Sequence, residues 1–509
     1  MKRSFIVTAL TLLLLSSLAF AQTYGGVLRA GMQTDPVGLD PHTTNATATR
    51  NMLENVYDTL VMFDSSGLIV PALAESWETS EDGLTWTFNL REGVTFHNGD
   101  ALTASDVVFS INRIKDPDIA SPRAGSFGQV SSATAADDST VVLTLEQPFS
   151  PLLSVLAFSL NVVVSEDVAM ANDNDLNDVV VGTGPFNFIE YIPQTRMVLE
   201  KNESYWGTDA EGNALPYLDG ITFTFYPDPA SRTTAIQTGA VDWIEYVPAA
   251  DVILLEADPE VSVVGGLSAN FRAMYLNTQE PPFDDMLVRQ AVSYAIDKQQ
   301  VVDLALFGTG GIVATGTAIP TGNYYAIEAS PYNARDVETA QSLLAESSYP
   351  DGFEFDLYVT STYDFLRDPA EIIQANLAEI GITANIVAED WSIYLPKALA
   401  SEFQATILGS SGQADPDDFL FDDFHSSSAT NMSQLVDAEL DALLEEGRTL
   451  SEQEARREVY IAAQERLLDL APYVFLFHSA QYEALRPSVQ GFEHFPNTSY
   501  LGLRNTWLE

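Results

Sequence analysis

Apolar Trp86, Phe88 and Leu90 alternate with polar Thr87, Asn89 and Arg91, the period of two required by a strand with one buried face. Gly93 breaks that run. Beyond the polar turn His97-Asn98-Gly99-Asp100 the period changes. Thr103 stands as a helix N-cap, Asp106 can reach back to its backbone amide, and Val107, Val108 and Ile111 mark a helix from about Ala104. Further on, a strand-like stretch opens at Phe271, and Val288, Ala291, Val292 and Ala295 then share one face of another predicted helix. Strand-like and helix-like stretches alternate throughout without internal repeats, so the pattern predicts an α/β chain.

The first residues read differently. Lys2 and Arg3 precede a largely apolar stretch at 5–18, and Ala19-Phe20-Ala21 forms an A-x-A cleavage site, which predicts a signal peptide over 1–21 and a mature chain from Gln22. The apolar stretch is shorter than the roughly 20 residues needed to cross a bilayer, and no later stretch is long enough either. There is no cysteine, which excludes a disulfide framework and the lipid-bearing cysteine of a tethered lipoprotein. These features predict an exported, soluble protein, free in a periplasm-like compartment.

Composition narrows the partners. The length suggests about three domains, and 46% hydrophobic residues are ample for their cores. Acids number 72 against 23 bases, a formal charge of −49, so nucleic acid and anionic membranes are poor partners and adaptation to salt is expected. Catalytic chemistry is not indicated: HExxH is absent, no lysine follows GTGG at 308–311, and GSSGQ at 409–413 fails the G-x-S-x-G elbow. His42, His97, His425, His478 and His494 lack metal-ligand spacing, and DNDLND at 173–178 lacks the glycine and closing glutamate of a calcium loop. The expectation is a non-enzyme with neither metal nor cofactor.

The phrase WTFNLREGVTFHNGDALTASDVVFSINRI at 86–114 resembles the family 5 solute-binding proteins of bacterial ABC importers, the group of dipeptide, oligopeptide and nickel receptors. Segments 38–64, 69–86, 182–207, 216–248, 271–302 and 370–398, then DPDDF at 415–419 and APYVFLFH at 471–478, resemble the family in its usual order. The resemblance implies a two-lobed periplasmic-binding-protein-like α/β fold with two hinge crossovers, near 265–272 and 476–482, and a subdomain inserted in the first lobe. The implied parts are lobe I at 22–60, 169–270 and 479–509, the inserted subdomain at 61–168, and lobe II at 271–478. It further implies a monomeric receptor that captures a small peptide or peptide-like solute for a membrane permease and its ATPases. An oligosaccharide or nickel-chelate receptor of the same fold stays open as an alternative, and a secreted hydrolase lacks a visible nucleophile and base.

The same resemblance supplies site expectations. GTGPF at 182–186 is by composition a turn entering a strand, and by resemblance it lies at the cleft floor, where Thr183 and Gly184 would meet the ligand. Trp391 and Tyr394 follow a strand-like stretch and can wall a pocket or pack a core. Peptide receptors carry a tryptophan and an amine-binding acid where this chain has Gly409 and Gly412. Asp415 is the nearest substitute for that acid, unless it only caps its Asp-Pro turn. The carboxylate-binding arginine of dipeptide receptors corresponds to Thr360, with Arg367 seven residues on. Thr44, Asn45, Ser410, Ser411 and Gln413 complete the candidate hydroxyl and amide contacts, and the missing charged anchors argue against a standard dipeptide grip.

Overall fold

The computed structural model describes residues 22–327, 329–409, 415–428, 430–450 and 452–509. The signal-peptide expectation therefore lies outside the described residues, as do Ser410, Ser411 and Gln413. The strand expected at 86–90 is Thr85–Leu90, with Phe88 and Leu90 buried. The helix after it is Ala104–Lys115, and the Asp106 carboxylate accepts the Thr103 backbone N–H at 2.9 Å. The other Asp106 oxygen accepts from the Glu166 amide at 3.0 Å, so the cap also ties this helix to the next segment. Helix Met286–Ala295 buries Val288, Ala291, Val292 and Ala295 completely, matching the face read from their spacing.

One 11-stranded sheet runs through both lobes. Its second-lobe part contains Thr383–Glu389, Glu354–Thr360 and Ala405–Leu408, with the middle strand parallel to both neighbours. Its first-lobe part contains Trp243–Ile244, Val27–Met32, Gly220–Phe225, Arg196–Lys201 and Phe186–Ile192, the first three mutually parallel. Between the two parts lie two long antiparallel strands, Ser262–Leu276 going out and Tyr473–Leu485 coming back. These are the two chain crossings. Their register shifts between Leu267 and Phe271, close to where one lobe gives way to the other.

The apolar cores divide in the same way. Met274, Val288, Leu357, Ile373, Ile407 and Phe475 belong to the second-lobe core, whereas Leu28, Phe223, Trp243, Tyr500 and Leu503 belong to the first. Each fully buried side chain of this size contributes about 1.5–3 kcal/mol. The last two residues show that the C-terminal tail returns to the first lobe, where Arg504 pairs with buried Asp58 at 2.6 Å. A separate four-stranded antiparallel sheet, Ala74–Thr79, Thr85–Leu90, Thr140–Leu145 and Val130–Asp137, packs on helix Ala104–Lys115 around its own core and forms the inserted subdomain. This subdomain touches the second lobe where the Ser150 amide donates to the Arg448 carbonyl at 2.7 Å.

Candidate functional site

Strand register places the site. Ala405–Leu408 runs antiparallel to the outgoing long strand, with Ala273 opposite Leu408, so its carboxyl end points toward Arg272 and the first lobe. Trp243–Ile244 runs antiparallel to the returning long strand, with Ile244 opposite Ala484, so its carboxyl end points toward Tyr482 and the second lobe. The carboxyl ends of both parallel strand sets therefore face each other across the crossing strands. Open parallel sheets bind ligands at such ends, where loops leave the strands and backbone groups are free to point outward.

On the second-lobe side, aromatic side chains form a continuous wall. Tyr363 lies 5.6 Å from Phe365 and 5.0 Å from Trp391, and Trp391 stacks 5.6 Å from Tyr394. The Arg272 guanidinium sits 5.4 Å from the Phe365 ring. Among the described residues its one hydrogen bond goes to the neighbouring Phe271 carbonyl at 2.7 Å. Burial holds the Arg272 pKa below the usual arginine range. Gly409 leaves it room, since a Cβ there would lie 2.6 Å from Arg272 Cδ and 2.0 Å from the Phe271 carbonyl oxygen.

On the first-lobe side, the chain leaves Trp243–Ile244 through Glu245 and Tyr246. Glu245 is buried and accepts from the Gln33 backbone N–H and the Tyr500 hydroxyl. Burial pushes its pKa up to about 7, against the lowering effect of those donors and of Arg232, while Glu483 adds to the rise. Arg232 donates to the carbonyls of Glu245, Tyr226 and Tyr246 and so locks these strand ends together. Tyr246 takes φ +47, a left-handed conformation costing a side-chain-bearing residue roughly 1–3 kcal/mol. Its phenol is among the titratable groups that raise the Arg272 pKa against the effect of burial.

The residues expected from sequence are distributed unevenly around this edge. Thr360 and Trp391 meet there: Thr360 is buried at a strand end, and the Trp391 amide donates to Thr362 Oγ1 at 3.1 Å. Tyr394 is buried behind the wall, its hydroxyl 2.8 Å from both Thr406 Oγ1 and the Ile407 carbonyl. Arg367 pairs with Asp364 and Asp368 on its own helix at 2.7 Å each. Asp415 accepts the Asp417 amide at 2.9 Å and takes both Arg456 terminal nitrogens at 2.7 Å. Thr183 is wholly buried and donates to Asp58 at 2.9 Å, while a Cβ at Gly184 would lie 2.7 Å from the Val56 carbonyl oxygen. Thr44 and Asn45 are gathered by Arg123, which donates to the Thr44 carbonyl and, at 2.9 Å, to Asn45 Oδ1.

Sequence reasoning passed over Arg272, Tyr246, Tyr363 and Phe365. Arg272 carried a usable signal, a lone cation inside the apolar run FRAMYL. The other three carried none, because their meeting depends on strand register. Among the described residues, no group of three or more histidines and acids is arranged to hold a metal ion, and no helix is long and apolar enough to cross a membrane.

Comparison with known proteins agrees with this architecture. The model of the family described as Bacterial extracellular solute-binding proteins, family 5 Middle, matches residues 69–432. Heme-binding protein A of Haemophilus influenzae is 33% identical, covering 91% of this chain and 88% of that protein. The dipeptide-binding protein of Escherichia coli is 31% identical, covering 91% of this chain and 92% of that protein. The structure of AgaA from A. tumefaciens R10, in complex with agropinic acid, has a TM-score of 0.82 at 32% identity and covers 95% of this chain and 99% of its own.

Proposed function

The chain belongs to the family 5 bacterial extracellular solute-binding proteins of ABC importers, and from that premise we propose that it captures a peptide or peptide-like solute in the crevice between its lobes. The observation that carries the reading is the convergence of two sets of parallel strand ends on one crevice, walled by Tyr363, Phe365 and Trp391. A rigid aromatic wall accepts varied apolar side chains, and free backbone groups at strand ends suit an amide-bearing ligand.

In this proposal the lobes comprise residues 22–60, 169–270 and 479–509 for the first and 271–478 for the second, with 61–168 inserted. The ligand gains contacts from both lobes only when they close, so it shifts the open–closed equilibrium toward the form that a permease and its ATPases receive. The receptor is exported by the signal at 1–21, works in the periplasm as a monomer, and performs no catalysis. A second reading, a non-peptide organic acid, is favoured by the agropinic acid bound to AgaA.

The test is mass spectrometry of small molecules that copurify with the protein, followed by melts with each candidate, because a ligand that binds only the native state raises stability. A copurifying peptide that raises the melting temperature and contracts the molecule in small-angle scattering is the expected result. A copurifying sugar acid, with peptides inert, replaces the peptide reading with the second one.

A further inference from the structure

Arg272 is chemically out of place for the strand it occupies. A guanidinium carries five N–H donors, and among the described residues this one makes a single hydrogen bond, to the carbonyl of its own neighbour. Tyr275 and Tyr246 are the titratable groups that raise its pKa, and no carboxylate is among them. Residues 410–414, which follow Gly409 in the sequence, are SSGQA and contain no acid. Arginines buried elsewhere hold an aspartate or several carbonyls: Arg113, Arg456 and Arg504 pair with aspartates, and Arg123, Arg232 and Arg289 each hold several carbonyls. In a chain with 72 acids and 23 bases, a partly desolvated arginine that has no carboxylate partner among the described residues, at a strand-end crevice, marks a place kept for a ligand's charge.

We infer that Arg272 binds a carboxylate of the solute, whose remaining body lies against Phe365, Tyr363 and Trp391. The inference rests on the crevice being the solute site, as proposed above. The planar fork of arginine matches the two oxygens of a carboxylate, and the Phe365 ring supports the guanidinium while leaving donors for the ligand. Gly409 belongs to the same device, because any side chain there would collide with the arginine stem. Tyr246, in its left-handed conformation, stands at the first-lobe strand end that faces the crevice.

The experiment uses the full chain stripped of copurifying ligand, as wild type, Arg272→Gln and Arg272→Lys. Calorimetry and melting would be run with di- and tripeptides bearing free C-termini, the same peptides as C-terminal amides, gluconate, and glucose. The wild type is expected to bind carboxylates about 10- to 100-fold more tightly than their uncharged counterparts, the worth of one charged hydrogen-bonded contact. Arg272→Gln should erase that preference without lowering the melting temperature of the unliganded protein, and Arg272→Lys should restore part of it. Equal binding of acid and amide by the wild type overturns the assignment, as does a wild type that binds only the uncharged probes or none at all. A variant that weakens every probe equally while melting earlier also overturns it, because Arg272 is then structural. Binding of gluconate with all peptides inert refutes the peptide reading and leaves the Arg272 assignment standing.

Discussion

Asp415 is engaged by structural partners on both of its carboxylate oxygens. It starts helix Pro416–Phe424, capping the Asp417 amide, and it holds Arg456 through two 2.7 Å contacts in a buried setting. Removing one partner of such a pair leaves the other charge uncompensated, so Asp415→Asn should cost about 3 kcal/mol in urea unfolding while solute affinity per folded molecule stays unchanged. A weakened affinity at unchanged stability would return Asp415 to the ligand. Glu245 carries the second residue-scale prediction. Burial raises its folded pKa to about 7, so between the ordinary carboxylate range and pH 7 the native state holds a proton that the unfolded chain has lost. Stability due to this group therefore falls as pH rises through that window and levels off above it. Glu245→Gln should match wild type near about pH 5 and exceed it by a few kcal/mol near about pH 8, read by urea titration at both values. At this scale the sequence disclosed side chains whose role depends on neighbours a few positions away, such as Thr103 and Asp106. It did not disclose Asp415–Arg456 or Thr183–Asp58, whose partners are distant in the chain.

At the scale of elements, the hydrophobic period located the strand at Thr85–Leu90 and the helices Ala104–Lys115 and Met286–Ala295, because each buries one regular face. The outgoing crossing strand was legible only in part. Its apolar run opens at Phe271, but the strand begins at Ser262, ahead of Gly265-Gly266, a pair that reads locally as a turn. Pairing with the returning strand overrides that preference, and Gly265 is what permits it. Gly265 has φ +126, and a Cβ there would lie 2.2 Å from the Gln481 carbonyl oxygen. Gly266, at φ +151, faces open space where a methyl group would sit, with nothing within 4 Å. Gly266→Ala thus tests backbone conformation alone, and Gly265→Ala adds a collision between the two crossing strands. Gly265→Ala should lose at least about 2 kcal/mol, more than Gly266→Ala, with amide protection around 263–267 falling first in hydrogen exchange. Equal losses would mean that the crossing strands part without cost to the fold.

Across the whole molecule, charge is the property that composition predicts and no single contact contains. The formal charge is −49, and although some ion pairs of the fold, such as Arg196–Glu190, are exposed, Arg113–Asp40 and Arg504–Asp58 are buried and short. Salt reaches these pairs poorly, whereas it screens repulsion among exposed acids over about 10 Å at 0.1 M and about 3 Å at 1 M. Raising sodium chloride from about 0.05 M to about 1 M should therefore raise the melting temperature, because the attractive contacts persist while the repulsion fades. A flat or falling response would show that the acidity does not strain the folded state. The same field acts on the solute. A carboxylate approaching an acidic protein is repelled until it reaches Arg272, so its association rate should increase with salt, opposite to the usual case of electrostatic steering. Its dissociation, governed by a contact made inside the crevice, should change much less. Stopped-flow measurements across that salt range separate the two rates, and an association rate that falls with salt would mean that local positive potential around the crevice outweighs the charge of the whole.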